Sequence, residues 1–143
     1  IVMQCPFNQI KNIEKVFKEK NIKYEIKQYY NDILERLYET DVLITRAGAG
    51  TINNVIVTQT PAIFVPLPSS ADNHQYYNAL VLEKILGSKI ILDQELNVEG
   101  LCLEILKFFK DINIKKDFIS NSISRQSYIN PCERIYSLIR NDL

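Results

Sequence analysis

Apolar positions along the chain switch between two periods. From Asn8 to Lys20 they fall at Ile10, Ile13, Val16 and Phe17, the spacing of one helix face. Ile22-Lys23-Tyr24-Glu25-Ile26 alternates with period two and predicts a strand, as does the short opening Ile1 to Gln4, ended by Pro6. A short helix is expected from Asn31 to Glu39, with Ile33, Leu34 and Leu37 inward. Val42-Leu43-Ile44 predicts a strand leading into a helix that carries Ile52, Val55 and Ile56, and Ala62 to Val65 predicts another strand, closed by Pro66-Leu67-Pro68. Asp72 is expected to open a long helix to Leu86, and Lys89 to Leu92 is the last expected strand. From Val98 onward only helices are expected: Leu101 to Lys110, a break at Asn113 to Lys116, a further stretch to Arg125, and Pro131 to Arg140.

Short strands separated by helices predict an α/β fold with a Rossmann-like parallel sheet and flanking helices. At 143 residues the chain suits one domain, expected to span residues 1–143. Seventeen basic residues balance seventeen acidic ones, so a bulk electrostatic nucleic-acid binder is disfavoured. No apolar run approaches the roughly 20 residues of a membrane span. Cys5, Cys102 and Cys132 are far apart and odd in number, which fits a reducing cytoplasm better than a disulfide framework or a zinc site. No metal or cofactor is expected.

Ligands of open parallel sheets bind at the carboxyl ends of strands, where the strand-to-helix loops gather. Two loops have a suitable composition. In Thr45-Arg46-Ala47-Gly48-Ala49-Gly50-Thr51, small residues allow close backbone approach, and the following helix start favours an anion such as a diphosphate. A plain tight turn with Thr51 as cap is the competing reading. Asn53 stands where the dinucleotide fingerprint would have its third glycine. In Pro66 to Asn78, Asp72 and Gln75 fit a capping pair, while His74, Gln75 and Asn78 suit recognition of sugar hydroxyls. His74 alone reads as a surface or capping residue. Tyr29 and Tyr30 are either the floor of a base pocket or half-buried aromatics. No catalytic triad, carboxylate pair or Walker loop can be assembled.

Taken together, Arg46-Ala47-Gly48-Ala49-Gly50-Thr51, Pro61 to Pro68 and Asp72-Asn73-His74-Gln75-Tyr76-Tyr77-Asn78-Ala79 resemble the bacterial peptidoglycan GlcNAc transferase family. The resemblance implies the C-terminal, donor-binding half of a two-domain GT-B glycosyltransferase, truncated at its first strand and glycine loop and separated from its acceptor domain. It further implies transfer of GlcNAc from UDP-GlcNAc to undecaprenyl-pyrophosphoryl-MurNAc-pentapeptide, with inversion and without a metal. By the same resemblance the Tyr30 backbone would meet uracil, and Ala49, Gly50 and Thr51 would hold the diphosphate. Ile52, Asn53 and Asn54 would complete the nucleotide side, and Gln75 with Asn78 would address the sugar. No catalytic base is expected within the chain. The lipid-linked acceptor and the peripheral contact with the cytoplasmic face of the inner membrane would belong to the other domain.

Two positions depart from the family pattern. Asn54 replaces a Glu that would chelate the ribose diol, and Gln59 replaces a Gly that would end the helix in a left-handed turn. These keep two alternatives in view. One is a stand-alone or decayed nucleotide-sugar binding module, which could work with a separately encoded acceptor subunit. The other is a GT-B transferase for a different lipid acceptor.

Overall fold

The computed structural model describes the backbone of residues 1–122 and side chains through Lys110. The chain divides into two compact units, Ile1–Arg36 and Leu37–Leu143.

In the first unit, β1 (Val2–Gln4) pairs in parallel with β2 (Glu25–Lys27) in the register Val2 to Glu25, Met3 to Ile26 and Gln4 to Lys27. Helix α1 (Phe7–Glu19) connects them, as its apolar spacing predicts. The strand expected from Ile22 begins later, at Glu25, because the exit from α1 consumes the residues before it. Asn21 turns left-handed at φ 53°, and the Ile22 N–H donates back to the Phe17 carbonyl. Besides the strand pairing and a Phe17–Tyr24 ring contact at 5.4 Å, a charge cluster around one buried ring ties the unit together. Arg36, in the first turns of α2 (Ile33–Tyr38), donates to both oxygens of Glu25 at 3.0 Å and to Asp32 at 2.9 Å. Its guanidinium lies 4.4 Å from the centre of the Tyr30 ring. Tyr30 is buried and its hydroxyl donates to the carbonyls of Glu25 and Met3.

In the second unit, β3 (Leu43–Thr45), β4 (Ala62–Phe64) and β5 (Lys89–Ile90) form a parallel sheet in the order β3-β4-β5. Strand β4 is fully buried and its side chains alternate between two cores. Ala62 and Phe64 pack with Val55 of α3 (Ala49–Thr58) and with Ala79, Leu82 and Leu86 of α4 (His74–Leu86). Ile63 packs on the opposite side with Phe108, Leu101 and Ile105 of α5 (Val98–Ser122). Helices therefore cover both faces of this sheet, as the alternation of elements predicts.

Two expectations need correction. Helix α5 runs unbroken from Val98 to Ser122, with no interruption at Asn113 to Lys116. The apolar spacing lapses there, but from Leu101 to Ser122 the segment has no Gly or Pro to stop a helix. The helix expected from Pro131 lies outside the described residues. The start of α4 moves from Asp72 to His74, since Asp72 and Asn73 are left-handed at φ 49° and 54° and form a 3-10 turn with Ala71.

Helix α3 ends at Gln59, whose φ of 55° and ψ of 31° are left-handed, with its N–H on the Val55 carbonyl. The buried hydroxyls of Thr58 and Thr60 bond each other on either side, and Thr60 donates to the Leu37 carbonyl at 2.8 Å. This network pins a conformation that costs a residue with a Cβ about 1–2 kcal/mol. Gln59→Gly is therefore expected to stabilise the chain by about 0.5–1 kcal/mol after the added freedom of the unfolded glycine is deducted. Urea unfolding would show it as a higher midpoint with an unchanged slope.

The Lys27 ammonium and then the Arg36 guanidinium hold the Glu25 carboxyl below its ordinary pKa, and the Arg36 hydrogen bond does the same for Asp32. Both groups take up protons more readily in the unfolded chain, so their stabilisation is complete above the ordinary carboxylate range near pH 4 and is lost as pH falls through the depressed values. Acid titration of stability is expected to be shallower for Glu25→Gln than for the unchanged chain.

Candidate functional site

The carboxyl ends of β3, β4 and β5 carry the loops of interest. After β3, the chain passes through Arg46, buried Ala47 and Gly48 into the first turn of α3. Gly48 is the residue before the helix, with extended backbone at φ −67° and ψ 152°, and no side chain caps the turn. The Ile52 N–H closes the first helical bond on the Gly48 carbonyl at 2.9 Å. The N–H groups of Ala49, Gly50 and Thr51 precede that bond and have no carbonyl within the helix to reach. They point out of the helix end, where its dipole favours negative charge. A side chain built on Gly48 or Gly50 would meet nothing within 4 Å, and neither residue needs a positive φ. Internal packing thus gives no reason for glycine at either position, whereas close approach of a ligand does. Thr51 does not cap the helix, so the plain capped turn is not what forms.

The second loop is not the capping pair either. Asp72 cannot serve as a cap from a left-handed backbone, because the cap residue needs an extended one. Gln75 instead turns its Oε1 to accept from the Leu67 N–H across the loop at 3.0 Å, so its amide NH2 is the end left for a ligand. His74 is exposed, and its Nδ1–H donates to the Ala71 carbonyl at 2.8 Å, a local capping contact. Asn78 donates from Nδ2 to the Ala47 carbonyl at 3.1 Å, which ties α4 to the glycine loop. That leaves its Oδ1 as the group it can offer.

The structure therefore places Ala49, Gly50, Thr51, Ile52, Asn53 and Asn54 on the first turns of α3, with Gln75 and Asn78 on the first turns of α4 braced against them. Tyr30 belongs to the first unit, where burial and then the charge of Glu25 raise its hydroxyl pKa. Its ring is buried and stacked on Arg36 while Tyr29 is 68% exposed, so neither is half-buried.

Two participants receive no role from the sequence: Arg46, which opens the first motif, and Asp93, which lies outside both loops. Arg46 Nη1 donates to the Val65 and Pro66 carbonyls at 3.1 and 3.2 Å and pairs with Asp93, which follows β5. The rule that ligand loops gather at strand carboxyl ends would have found Asp93, since the loop after β5 is the third of the set. A cleft of about 280 Å³ lies there, bounded by Pro66 to Pro68, Asn73, Tyr76 and the Leu92–Gln94 turn. Among the described residues, no group of His, Cys, Asp and Glu is arranged to hold a metal ion, and no helix is long and apolar enough to cross a membrane.

The second unit is thus a parallel α/β unit with a bare, glycine-lined helix start beside amide side chains. Residues 1–128 match the Glycosyltransferase family 28 C-terminal domain, and the chain belongs to that family. It is 33% identical over 126 residues to the UDP-N-acetylglucosamine--N-acetylmuramyl-(pentapeptide) pyrophosphoryl-undecaprenol N-acetylglucosamine transferase of Rickettsia felis, a match covering 88% of this chain and 35% of that protein. The enzyme of the same name from Rickettsia akari matches at 33% over 126 residues, covering 88% of this chain and 33% of the relative. The crystal structure of Acinetobacter baumannii MurG is similar with a TM-score of 0.82 and 26% identity, over 99% of this chain and 42% of that one. The expected fold, a Rossmann-like parallel α/β fold of a GT-B C-terminal domain, is the one observed. The chain spans about a third of the length of these curated relatives.

Because Gly50 sits in a helix turn with open space above it, Gly50→Ala is expected to raise stability by roughly 0.5 kcal/mol in thermal or urea unfolding.

Proposed function

We propose that this chain is the donor-binding part of an inverting N-acetylglucosaminyltransferase that moves GlcNAc from UDP-GlcNAc to undecaprenyl-pyrophosphoryl-MurNAc-pentapeptide in peptidoglycan synthesis. The observation that carries this reading is the uncapped start of α3, where glycines leave space that the protein itself does not fill. The family match and the names of the relatives give that anion site its particular ligand.

On this reading the N–H groups of Ala49, Gly50 and Thr51, with the Thr51 hydroxyl, hold the diphosphate. As the glycosidic bond breaks, negative charge grows on the departing UDP, and fixed amides with the aligned dipole of α3 stabilise it without rearranging. Ile52, Asn53 and Asn54 flank the nucleotide, with Asn54 at the ribose and the Tyr30 backbone at uracil. Gln75 offers its NH2, and Asn78 its Oδ1, to GlcNAc hydroxyls. The acceptor hydroxyl attacks from the opposite face and gives its proton to a base outside residues 1–143. Acceptor binding and peripheral attachment to the cytoplasmic membrane face belong, on this proposal, to that same other half.

Asn54 favours a second reading, a nucleotide-sugar binding module whose ribose site has weakened. An amide has one acceptor oxygen where a carboxylate has two, and it forgoes charge assistance. Calorimetric titration with UDP-GlcNAc, UDP and UDP-glucose tests both readings. A working donor site binds UDP-GlcNAc in preference, and Gln75→Ala removes the preference. Asn54→Glu is expected to tighten UDP-GlcNAc about five- to thirty-fold, or 1–2 kcal/mol. Binding that appears only in Asn54→Glu marks the weakened module, and Gly50→Ala should loosen every UDP ligand despite its added stability.

A further inference from the structure

The two candidate loops are joined in a closed circuit of bonds. Arg46 donates to the Pro66 carbonyl, the Leu67 N–H donates to Gln75 Oε1, and Asn78, one helical turn beyond Gln75, donates to Ala47, the neighbour of Arg46. Asp93 enters from the third loop and holds the guanidinium that starts the circuit. The side chains of Arg46 and Asp93 are 48% and 37% exposed, so as an ion pair they add little to stability. What the pair does is directional. Three acceptors, the Val65 and Pro66 carbonyls and the Asp93 carboxylate, gather around one nitrogen of Arg46. That sets the Pro66–Leu67 peptide, and the Leu67 N–H in turn decides which end of the Gln75 amide is bound and which faces outward.

We propose that Asp93 is a positioning residue for recognition of the donor's sugar, acting through Arg46 and Leu67 on the amide of Gln75. The inference rests on the donor-binding reading above and names the residue that fixes its sugar end. On that reading the diphosphate contacts come from the α3 backbone, whose entry loop is held by the Asn78 bond to Ala47 and touches Asp93 only through Arg46. Loss of Asp93 therefore separates the two ends of the ligand. Without the carboxylate, Arg46 is free to leave the Pro66 carbonyl, the Leu67 N–H shifts, and the Gln75 amide is no longer held in one orientation.

The test is calorimetry of the 143-residue chain with UDP-GlcNAc and with UDP for the unchanged protein, Asp93→Ala, Asp93→Asn, Asp93→Glu and Arg46→Met. Expected for Asp93→Ala is a loss of UDP-GlcNAc affinity of about five- to thirty-fold with UDP affinity changed less than about two-fold. Asp93→Asn should fall between, and Asp93→Glu should restore most of the preference. Arg46→Met, which keeps the stem and removes every donor, should behave as Asp93→Ala. Equal losses for both ligands, or none, would overturn the positioning role while leaving the donor reading intact. An unchanged chain that binds neither ligand overturns both. Should Asp93→Ala unfold, the near-isosteric Asp93→Asn still decides through the ratio of the two affinities.

Discussion

Burial of a three-residue strand organises the second unit. Ala62, Ile63 and Phe64 have no exposed face, so helices must cover both sides of β4. A strand in that position can pair only in parallel with β3 and β5, because each is connected to it through a covering helix. Parallel pairing in turn puts the ends of all three strands on one edge, where the chain must leave the core. Everything that looks like a ligand site follows from that edge, including the Arg46 turn, the Pro66–Pro68 loop and Asp93.

At the edge, polar groups are committed or left open by local geometry rather than by burial. Backbone carbonyls at the loop starts are taken up by Arg46 and Asn78, and the Leu67 N–H by Gln75. The N–H groups at the start of α3 are left open, since Gly48 carries no side chain that could cap them. Acceptors are thus occupied by the protein's own donors, and donors remain for a ligand. An edge of that polarity suits an anion with hydroxyls attached to it. The left-handed Asp72 and Asn73 delay α4 until His74, which puts Gln75 in the first turn, within reach of the Leu67 N–H.

Much of this was legible in the sequence, for identifiable reasons. Apolar spacing gave the order of helices and strands up to α5, and β4 was plain in Ala62 to Val65 flanked by prolines. Gly48 and Gly50 revealed the open helix start, since close approach has a compositional signature. Left-handed residues other than glycine have none, so the backbone at Asp72 and Asn73 hid behind a sequence that fits a capping pair. Gln59 was legible only through the resemblance that expected a glycine there. Arg46 and Asp93 lie 47 residues apart and meet through sheet order, which no local pattern encodes. The surroundings of the Tyr30 ring stayed open for a similar reason, because its stacking partner Arg36 and its contact with Met3 depend on tertiary placement.

Helix α3 carries an apparent weakness at each end, and the two have different physical meanings. At its C-terminus Gln59 is held in a strained conformation by its own residue type, while Thr58 and Thr60 anchor the chain on either side. That strain belongs to the backbone at the end of the helix opposite the open amides. At its N-terminus Gly48 and Gly50 forgo side chains where nothing in the protein would obstruct them. The resulting instability makes no sense for the isolated fold, because alanine at Gly50 would serve the helix better. It does make sense if backbone and ligand must come within van der Waals distance. Asn54 lies one turn further on in α3, so on the donor-binding proposal an amide there in place of a carboxylate would weaken a neighbouring contact without disturbing the anion seat. On the donor-binding proposal, such a site would lose affinity at the ribose first, while the uncapped helix start stays intact.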